Sequence, residues 1–523
     1  MEKVYAVLID IISIQKYVFG SNKLKENIGA SFLVKDIYES ILHQAVKEVF
    51  KGQNFYFDRW KKEVDKIAIE NEVFEIGYIG GGNALLFFKE PDKTKEPDKA
   101  REFIRLWTKI LLIEAPGLVT GIACEEFDIK NFKENNKALF NKLKENKYKY
   151  IPQTILPRHG ITAECKRSGY SIEKIWNYPE DKEGEYLSSM TNAKIDASKE
   201  TKNVLEKRFK DILNDKFTFT DNLEELGQKY GQDSHIAIVH IDGNEIGKRF
   251  QDTEELRDIR ALARDLEKAT ENSFENLLKK IINNFELIEE EVTIYKANNK
   301  KILPIRPIIL GGDDITFVSD GKLGIYFAKL FMEAFEMEAF EKEPVSDGKP
   351  LTSCAGIAIT KTKFPFYRGY ELAEQLCNKA KIVRKEKKKN GSWIDFHIAY
   401  SGFSGTLEEI RNDHYKAIQG DLLFRPYMIN SKEEYGFDTL IRKTKELNKL
   451  PKSKIAELRT VLTQGVEATS SFVIREKTLP EYGTYKNKLF ENSKTPYFDM
   501  IEIIGCYPDF ELRKEAYDED SQN

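Results

Sequence analysis

The chain has 523 residues, too many for one ordinary hydrophobic core, so about two to four domains are expected. Charged residues make up 32% and hydrophobic residues 41%, the balance of a soluble globular protein. A net charge of −4 excludes a global basic field for nucleic acid, and no apolar run approaches a membrane span.

The N-terminus runs straight into an apolar strand pattern, Val4 to Ile9, which ends on Asp10 and is too short for a signal sequence. An amphipathic stretch follows over about 30–50. An apolar run ending Tyr78-Ile79 then leads into the turn Gly80-Gly81-Gly82-Asn83 and a second apolar run, Ala84 to Phe88. A helical pattern over 100–114 leads to the strand pattern Val119 to Ala123. The sequence then turns polar, with Pro152, Pro157 and Pro179 as punctuation.

The same order returns. Ile236 to Ile241 is an apolar run ending on Asp242. A long helical stretch is predicted over 253–285, then Ile308 to Leu310, the turn Gly311-Gly312-Asp313-Asp314, and Ile315 to Val318. A helix over 323–340 leads to the strand pattern Cys354 to Ile359, and another helix starts near Tyr370. Asp10 and Gly82 lie 72 positions apart, and Asp242 and Asp313 lie 71 apart. Strand, helix, hairpin, helix, strand is the ferredoxin-like β-α-β-β-α-β pattern. The fold class is therefore α+β: two tandem ferredoxin-like palm domains facing each other, a linker or insert, and a C-terminal helical domain. The expected boundaries are 1–149 for the first palm, 150–232 for the insert, 233–402 for the second palm and 403–523 for the helical domain. Ser453 is a candidate cap for a helix after Leu450-Pro451.

The second copy carries the chemistry. A Gly-Gly pair lets a hairpin take positive φ without steric cost and bares the backbone to an approaching phosphate. Asp313 and Asp314 would project from that hairpin, and Asp242 ends the strand expected beside it. Three close carboxylates repel one another and raise each other's proton affinity, unless divalent cations bind them. Mg²⁺ and Mn²⁺ favour such oxygen ligands and share them with substrate phosphates. Asp242, Asp313 and Asp314 are thus the candidate catalytic and metal-binding residues, for two ions and a nucleoside triphosphate. Gly311, Gly312, Asn244 and Lys381 are candidates for nucleotide binding, with Arg384 and Lys385 as weaker ones for the triphosphate tail, and Asn244 and Glu245 could touch metal, ribose or water. In the first copy Gly80, Gly81, Gly82 and Asn83 keep the turn without the carboxylates, so that copy either holds an acceptor nucleotide or serves packing alone.

Other residues carry less. Six histidines are scattered, at 43, 159, 235, 240, 397 and 414, and no His-Asp dipeptide occurs. His235 and His240 flank the first strand of the second copy and read as ordinary strand-end residues. Cys124, Cys165, Cys354, Cys377 and Cys506 form no CxxC pair, which argues against a zinc ribbon and fits a reducing cytoplasm. The basic run Arg384 to Lys389 reads as a solvated helix end.

The combination resembles the large polymerase-like subunit of type III CRISPR effector complexes. The resemblance is carried by Ser13-Ile14-Gln15-Lys16-Tyr17-Val18-Phe19-Gly20-Ser21 with Gly29-Ala30-Ser31, by Asp242-Gly243-Asn244-Glu245-Ile246-Gly247, and by the Gly311–Asp314 turn. Ala355 to Ile359 with Lys363-Phe364-Pro365 and Ala380-Lys381 adds to it, as does the tail around Leu450 to Lys454. It implies two palms that join ATP into cyclic oligoadenylate signals for antiviral defence. It implies Mg²⁺ or Mn²⁺ on Asp242, Asp313 and Asp314, triphosphate on Lys381, and an acceptor nucleotide on the degenerate palm. Guide and target RNA and effector subunits are the implied partners.

Three departures from the family bear on these expectations. The chain begins directly at the first palm, so DNA cutting by a His-Asp nuclease domain is not expected. Of the zinc-binding cysteines between the palms only Cys165 stands. The sequence reads Asp-Gly-Asn-Glu where many relatives read Asp-Gly-Asp-Asn, which touches the metal shell and base preference. The alternatives are a non-catalytic scaffold subunit binding RNA and protein, a stand-alone antiphage synthase with another base preference, and a diguanylate-cyclase-like enzyme. The last needs two identical palms meeting in a dimer, whereas here two unlike palms pair within one chain.

Overall fold

The apolar run that opens the chain becomes a central strand, because only a strand flanked on both edges can bury such a run. In the computed structural model β1 (Glu2–Ile12) lies between β3 (Asn83–Pro91) and β4 (Val119–Glu126), with β2 (Phe74–Gly80) outside β3. The strands pair antiparallel, in the order of a ferredoxin-like unit. The structure describes residues 2–91, 98–149, 160–176, 184–228, 234–338, 351–400, 402, 405–476, 478–485 and 488–513. Pro152, Pro157, His159 and Pro179 lie outside them.

The helices of this unit are α1 (Ile14–Phe19), α2 (Leu24–Asp36), α3 (Leu42–Val49), α4 (Asp98–Glu114) and α5 (Phe132–Lys149). The single stretch expected over 30–50 thus begins earlier, at Leu24, and contains a π-helical turn, Ile37–Ile41. That wider turn carries Tyr38, whose hydroxyl donates to the Gly82 carbonyl at 2.6 Å. Between the two palms, α6 (Ser189–Arg208) packs on α2, and Lys194 Nζ donates to the Tyr17 carbonyl at 2.6 Å.

The second unit comprises β5 (His235–Gly243), α7 (Ile246–Asp252), α8 (Leu256–Asn283), β6 (Ile305–Gly311), β7 (Asp314–Asp320), α9 (Gly324–Met337), β8 (Ser353–Lys361), α10 (Phe366–Glu386) and β9 (Trp393–Ile398). The strand order is β6-β7-β5-β8-β9, so the ferredoxin-like core gains β9, parallel to β8, through the α10 crossover. Tyr427–Met428 pairs with β9 at the edge. The helix predicted over 253–285 breaks before Leu256, where Glu255 and Asp258 form a reciprocal capping box that starts α8 afresh. Helices α11 (Leu407–His414), α12 (Phe437–Asn448), α13 (Lys452–Gln464), α14 (Val466–Arg475) and α15 (Tyr497–Cys506) follow. Ser453 does not cap α13: the helix begins at Lys452, with Pro451 as the residue before it, so Ser453 already lies inside the first turn.

The period-two alternation of β5 builds two cores from one strand. Ala237, Val239 and Ile241 face a core with α8, α9 and the C-terminal helices. Ile236 and Ile238 face the opposite core, which continues through Phe366 and Tyr370 of α10 into the first palm. Between the palms, Arg260 of α8 is fully buried against β2. It donates to the Gly77 carbonyl at 2.7 Å, the Ile76 carbonyl at 3.0 Å and Glu75 Oε1 at 2.8 Å. A buried guanidinium is tolerated only when charge and donors are met in this way.

Candidate active site

The two hairpins meet tip to tip. A methyl group built on Gly312 would lie 3.9 Å from the amide nitrogen of Gly81. Each tip is tied to its own palm by matching bonds. The Asp313 carbonyl accepts from the Gly243 amide at 3.0 Å, and the Gly82 carbonyl accepts from the Ile11 amide at 3.1 Å. Thr270 of α8 donates to the Gly312 carbonyl as Tyr38 does to Gly82. The turns differ in one respect. Gly81 and Gly82 both take positive φ (57° and 79°), whereas in the second hairpin Gly312 does (60°) and Gly311 does not. With Asp at 313 in place of Gly82, the loop keeps that position out of the left-handed region, where a side chain is disfavoured.

β5, β7 and the hairpin place the carboxylates. Asp314 stands directly opposite Asp242 in the β5–β7 register, within cross-strand reach. Asp313 packs over Gly243, where a Cβ would come within 2.8 Å of the Asp313 Cβ. Lys381, on α10, pairs through Nζ with Asp242 Oδ2. The structure therefore brings Asp242, Asp313, Asp314 and Lys381 together beside Gly311 and Gly312, with Gly80–Asn83 facing them. Asn244 it does not bring in: its amide donates to Thr352 Oγ1 at 3.1 Å, its oxygen accepts from Cys354, and its side chain is spent on that buried bond. Glu245 stands exposed in the left-handed region (φ 61°), paired with Arg384 at 3.3 Å.

Burial, then the charge of Asp242, pushes the Asp313 and Asp314 carboxyls up to about 7. Burial alone would lower Lys381, but the charge of Asp242 outweighs it and raises the ammonium. His240 lies within β5, buried and pushed down to about 4 chiefly by that burial. Its Nδ1 shares a hydrogen bond with Thr316 at 3.2 Å and lies 3.5 Å from Asp314 Oδ1.

Among the described residues no group of three or more His, Cys, Asp or Glu side chains is placed to hold a metal ion by itself. The Lys381 ammonium lies on Asp242, where it supplies the counter-charge the carboxylates need. The donor set nevertheless fits a hard cation: Asp314 Oδ1 is buried and accepts no hydrogen bond, and its neighbours are carboxylates.

Two residues escaped the sequence reading. Lys147 of α5 pairs with Asp10 as Lys381 pairs with Asp242. The separations, 137 and 139 positions, are the signal that would have found it. Gln15 of α1 donates from the first palm to Asp314 Oδ2 of the second at 3.3 Å, and no spacing within either copy announces that bond.

Two ferredoxin-like units in tandem, with a carboxylate-bearing hairpin beside a strand-end aspartate in the second alone, define an asymmetric tandem palm-domain protein. Residues 235–391 match the family model described as Cas10/Cmr2, second palm domain. Over those residues, the second palm unit, the chain is similar to that family. Solved structures of a Csm1–Csm4 cassette in complex with pppApA (TM-score 0.51) and with pppApApA (TM-score 0.50) share the fold at 13% identity. Each match covers 96% of this chain and 69% of that one. No curated protein matches the sequence.

Proposed function

We propose that this protein joins nucleoside triphosphates, ATP first among them, into short or cyclic oligonucleotides. The observation that carries this reading is the carboxylate cluster of Asp242, Asp313 and Asp314. It is half-buried, carries the Lys381 ammonium on Asp242, and leaves Asp314 Oδ1 without a hydrogen bond where the two hairpin tips meet. The solved cassette bound to pppApA and pppApApA, both triphosphate-ended oligoadenylates, supports adenylate as the base. Assembly with a Csm4-like subunit, other effector subunits and guide and target RNA belongs to the same proposal.

Asp242, Asp313 and Asp314 would hold Mg²⁺ or Mn²⁺. When bound, the ions would make the attacking hydroxyl more acidic and offset charge on the departing pyrophosphate. Lys381 leaves Asp242 to neutralise the triphosphate tail, because a phosphate chain offers it more negative charge than one carboxylate. The bare backbone at Gly311 and Gly312 lets the phosphates approach closely. On the facing tip, Gly80 to Asn83 present an acceptor nucleotide, with Lys147 and Asp10 as the counterpart of the catalytic pair. The 3′-oxygen of the acceptor forms a bond to the α-phosphorus, the bond to the β-phosphate bridging oxygen breaks, and pyrophosphate carries away the electron pair while the hydroxyl proton passes to solvent.

Incubation with each labelled triphosphate and Mn²⁺, alone and with partner subunits and target RNA, tests this. ATP should yield pyrophosphate and oligoadenylates. Preference for GTP would favour a diguanylate-cyclase-like chemistry, and tight binding without turnover under every condition would leave a scaffold.

A further inference from the structure

One contact between the palms has no part in the roles proposed above. Ser13, the residue before α1, stands in the left-handed region (φ 58°), so the chain turns sharply from the end of β1 into α1. Gln15 on that helix donates its amide to Asp314 Oδ2. One turn further on, Phe19 stacks on Tyr370 of α10, with ring centroids 3.6 Å apart and planes 19° from parallel. Tyr370 meets His240 edge-on at 5.5 Å, and His240 flanks the other oxygen of the same carboxylate. A single short helix of the first palm thus touches Asp314 directly and its surroundings through a ring stack. His240 does not take over the task of Gln15, because its Nδ1 lies by Oδ1, not Oδ2, and is engaged with Thr316.

Resting on the proposed function, we infer that Gln15 is a positioning residue: it holds Oδ2 of Asp314 so that Oδ1 stays free for a cation, and so makes the second palm's cluster depend on the docking of the first. Partners of metal-ligating carboxylates fix ligand orientation, and losing one typically weakens metal affinity about tenfold or more. The coupling gives inter-palm movement a direct route to the reacting end of the second palm, because displacement of α1 releases the Asp314 rotor.

Mn²⁺ binding tests this without reference to turnover. Free Mn²⁺ is titrated by its paramagnetic resonance signal against the full-length wild type, Gln15→Leu, Gln15→Glu and the Asp313→Asn/Asp314→Asn double variant. Gln15→Leu, near in size and without a donor, should bind Mn²⁺ about tenfold more weakly and melt within about 2 °C of wild type without metal. Gln15→Glu also lacks the amide donor and should bind no more tightly than wild type. Unchanged binding by Gln15→Leu, or tighter binding by Gln15→Glu than by wild type, would overturn the inference. If the double variant loses Mn²⁺ while Gln15→Leu keeps it, the inference fails and the proposed function stands. If wild type binds none, both fall.

Discussion

Replacing Asp313 and Asp314 together by asparagine removes two charges from the hairpin while keeping its shape. Both carboxyls are pushed up to about 7, first by burial and then by Asp242. One decade of proton affinity is about 1.4 kcal/mol. A carboxyl held near 7 instead of its ordinary 3.8 therefore opposes folding by about 4 kcal/mol at pH 8. The two costs overlap, since each contains the charge of Asp242, and the Asp314 side chain keeps 23% of its exposure to solvent. The double variant should gain about 2–4 kcal/mol over wild type at pH 8 in metal-free buffer. The folded wild type holds these protons more tightly than the unfolded chain, so its stability falls as pH rises from about 4 to about 7 and levels above. The variant lacks that slope, and the gap should close toward pH 4. Mn²⁺ at about 100 times its dissociation constant should return about 2.7 kcal/mol to wild type and nothing to the variant. Urea denaturation followed by tryptophan fluorescence across this pH range, with chelator and with Mn²⁺, reads all three effects. A variant no more stable than wild type at pH 8, or a gap that ignores pH, would show that the two carboxyls do not carry raised proton affinities.

Lys381→Met should lower kcat/KM for the triphosphate about 100-fold or more by removing a charge-assisted contact, and unchanged kinetics would remove Lys381 from the site. At limiting Mn²⁺, turnover should rise with pH through about 7 and then level, because Asp313 and Asp314 must lose their protons before a cation binds. A flat profile from pH 6 to 8 would contradict the carboxylate assignment. Arg260→Met should cost about 3–5 kcal/mol by leaving Glu75 buried and unpaired. Adding Glu75→Leu should recover most of that in thermal melts.

What could be read from the sequence was local. The apolar runs ending on Asp10 and Asp242, and the glycine turns 72 and 71 positions later, state their geometry in their own residues. Register then carries Asp314 to Asp242 without further information. Helix breaks were less legible. The π-turn at Ile37–Ile41 answers to Gly82 through Tyr38, a residue 44 positions away. Asn244 looked free for metal or ribose because its partners, Thr352 and Cys354, lie more than a hundred positions on. Gln15 was quoted as part of a motif, but its bond to Asp314 exists only because the palms dock, and periodicity within either palm is blind to that. Tyr427–Met428, in a stretch whose pattern is helical and charged, joins the second palm's sheet by two residues, too few to show alternation.

Nucleotidyl transfer is the reaction proposed for the second hairpin. Pyrophosphate release from ATP in Mn²⁺, with partner subunits and target RNA supplied, measures it most directly. Wild type should release pyrophosphate, and Asp313→Ala with Asp314→Ala should release none while keeping the same fold by circular dichroism. Equal release by both proteins, or none by wild type under any of these conditions, would contradict the account.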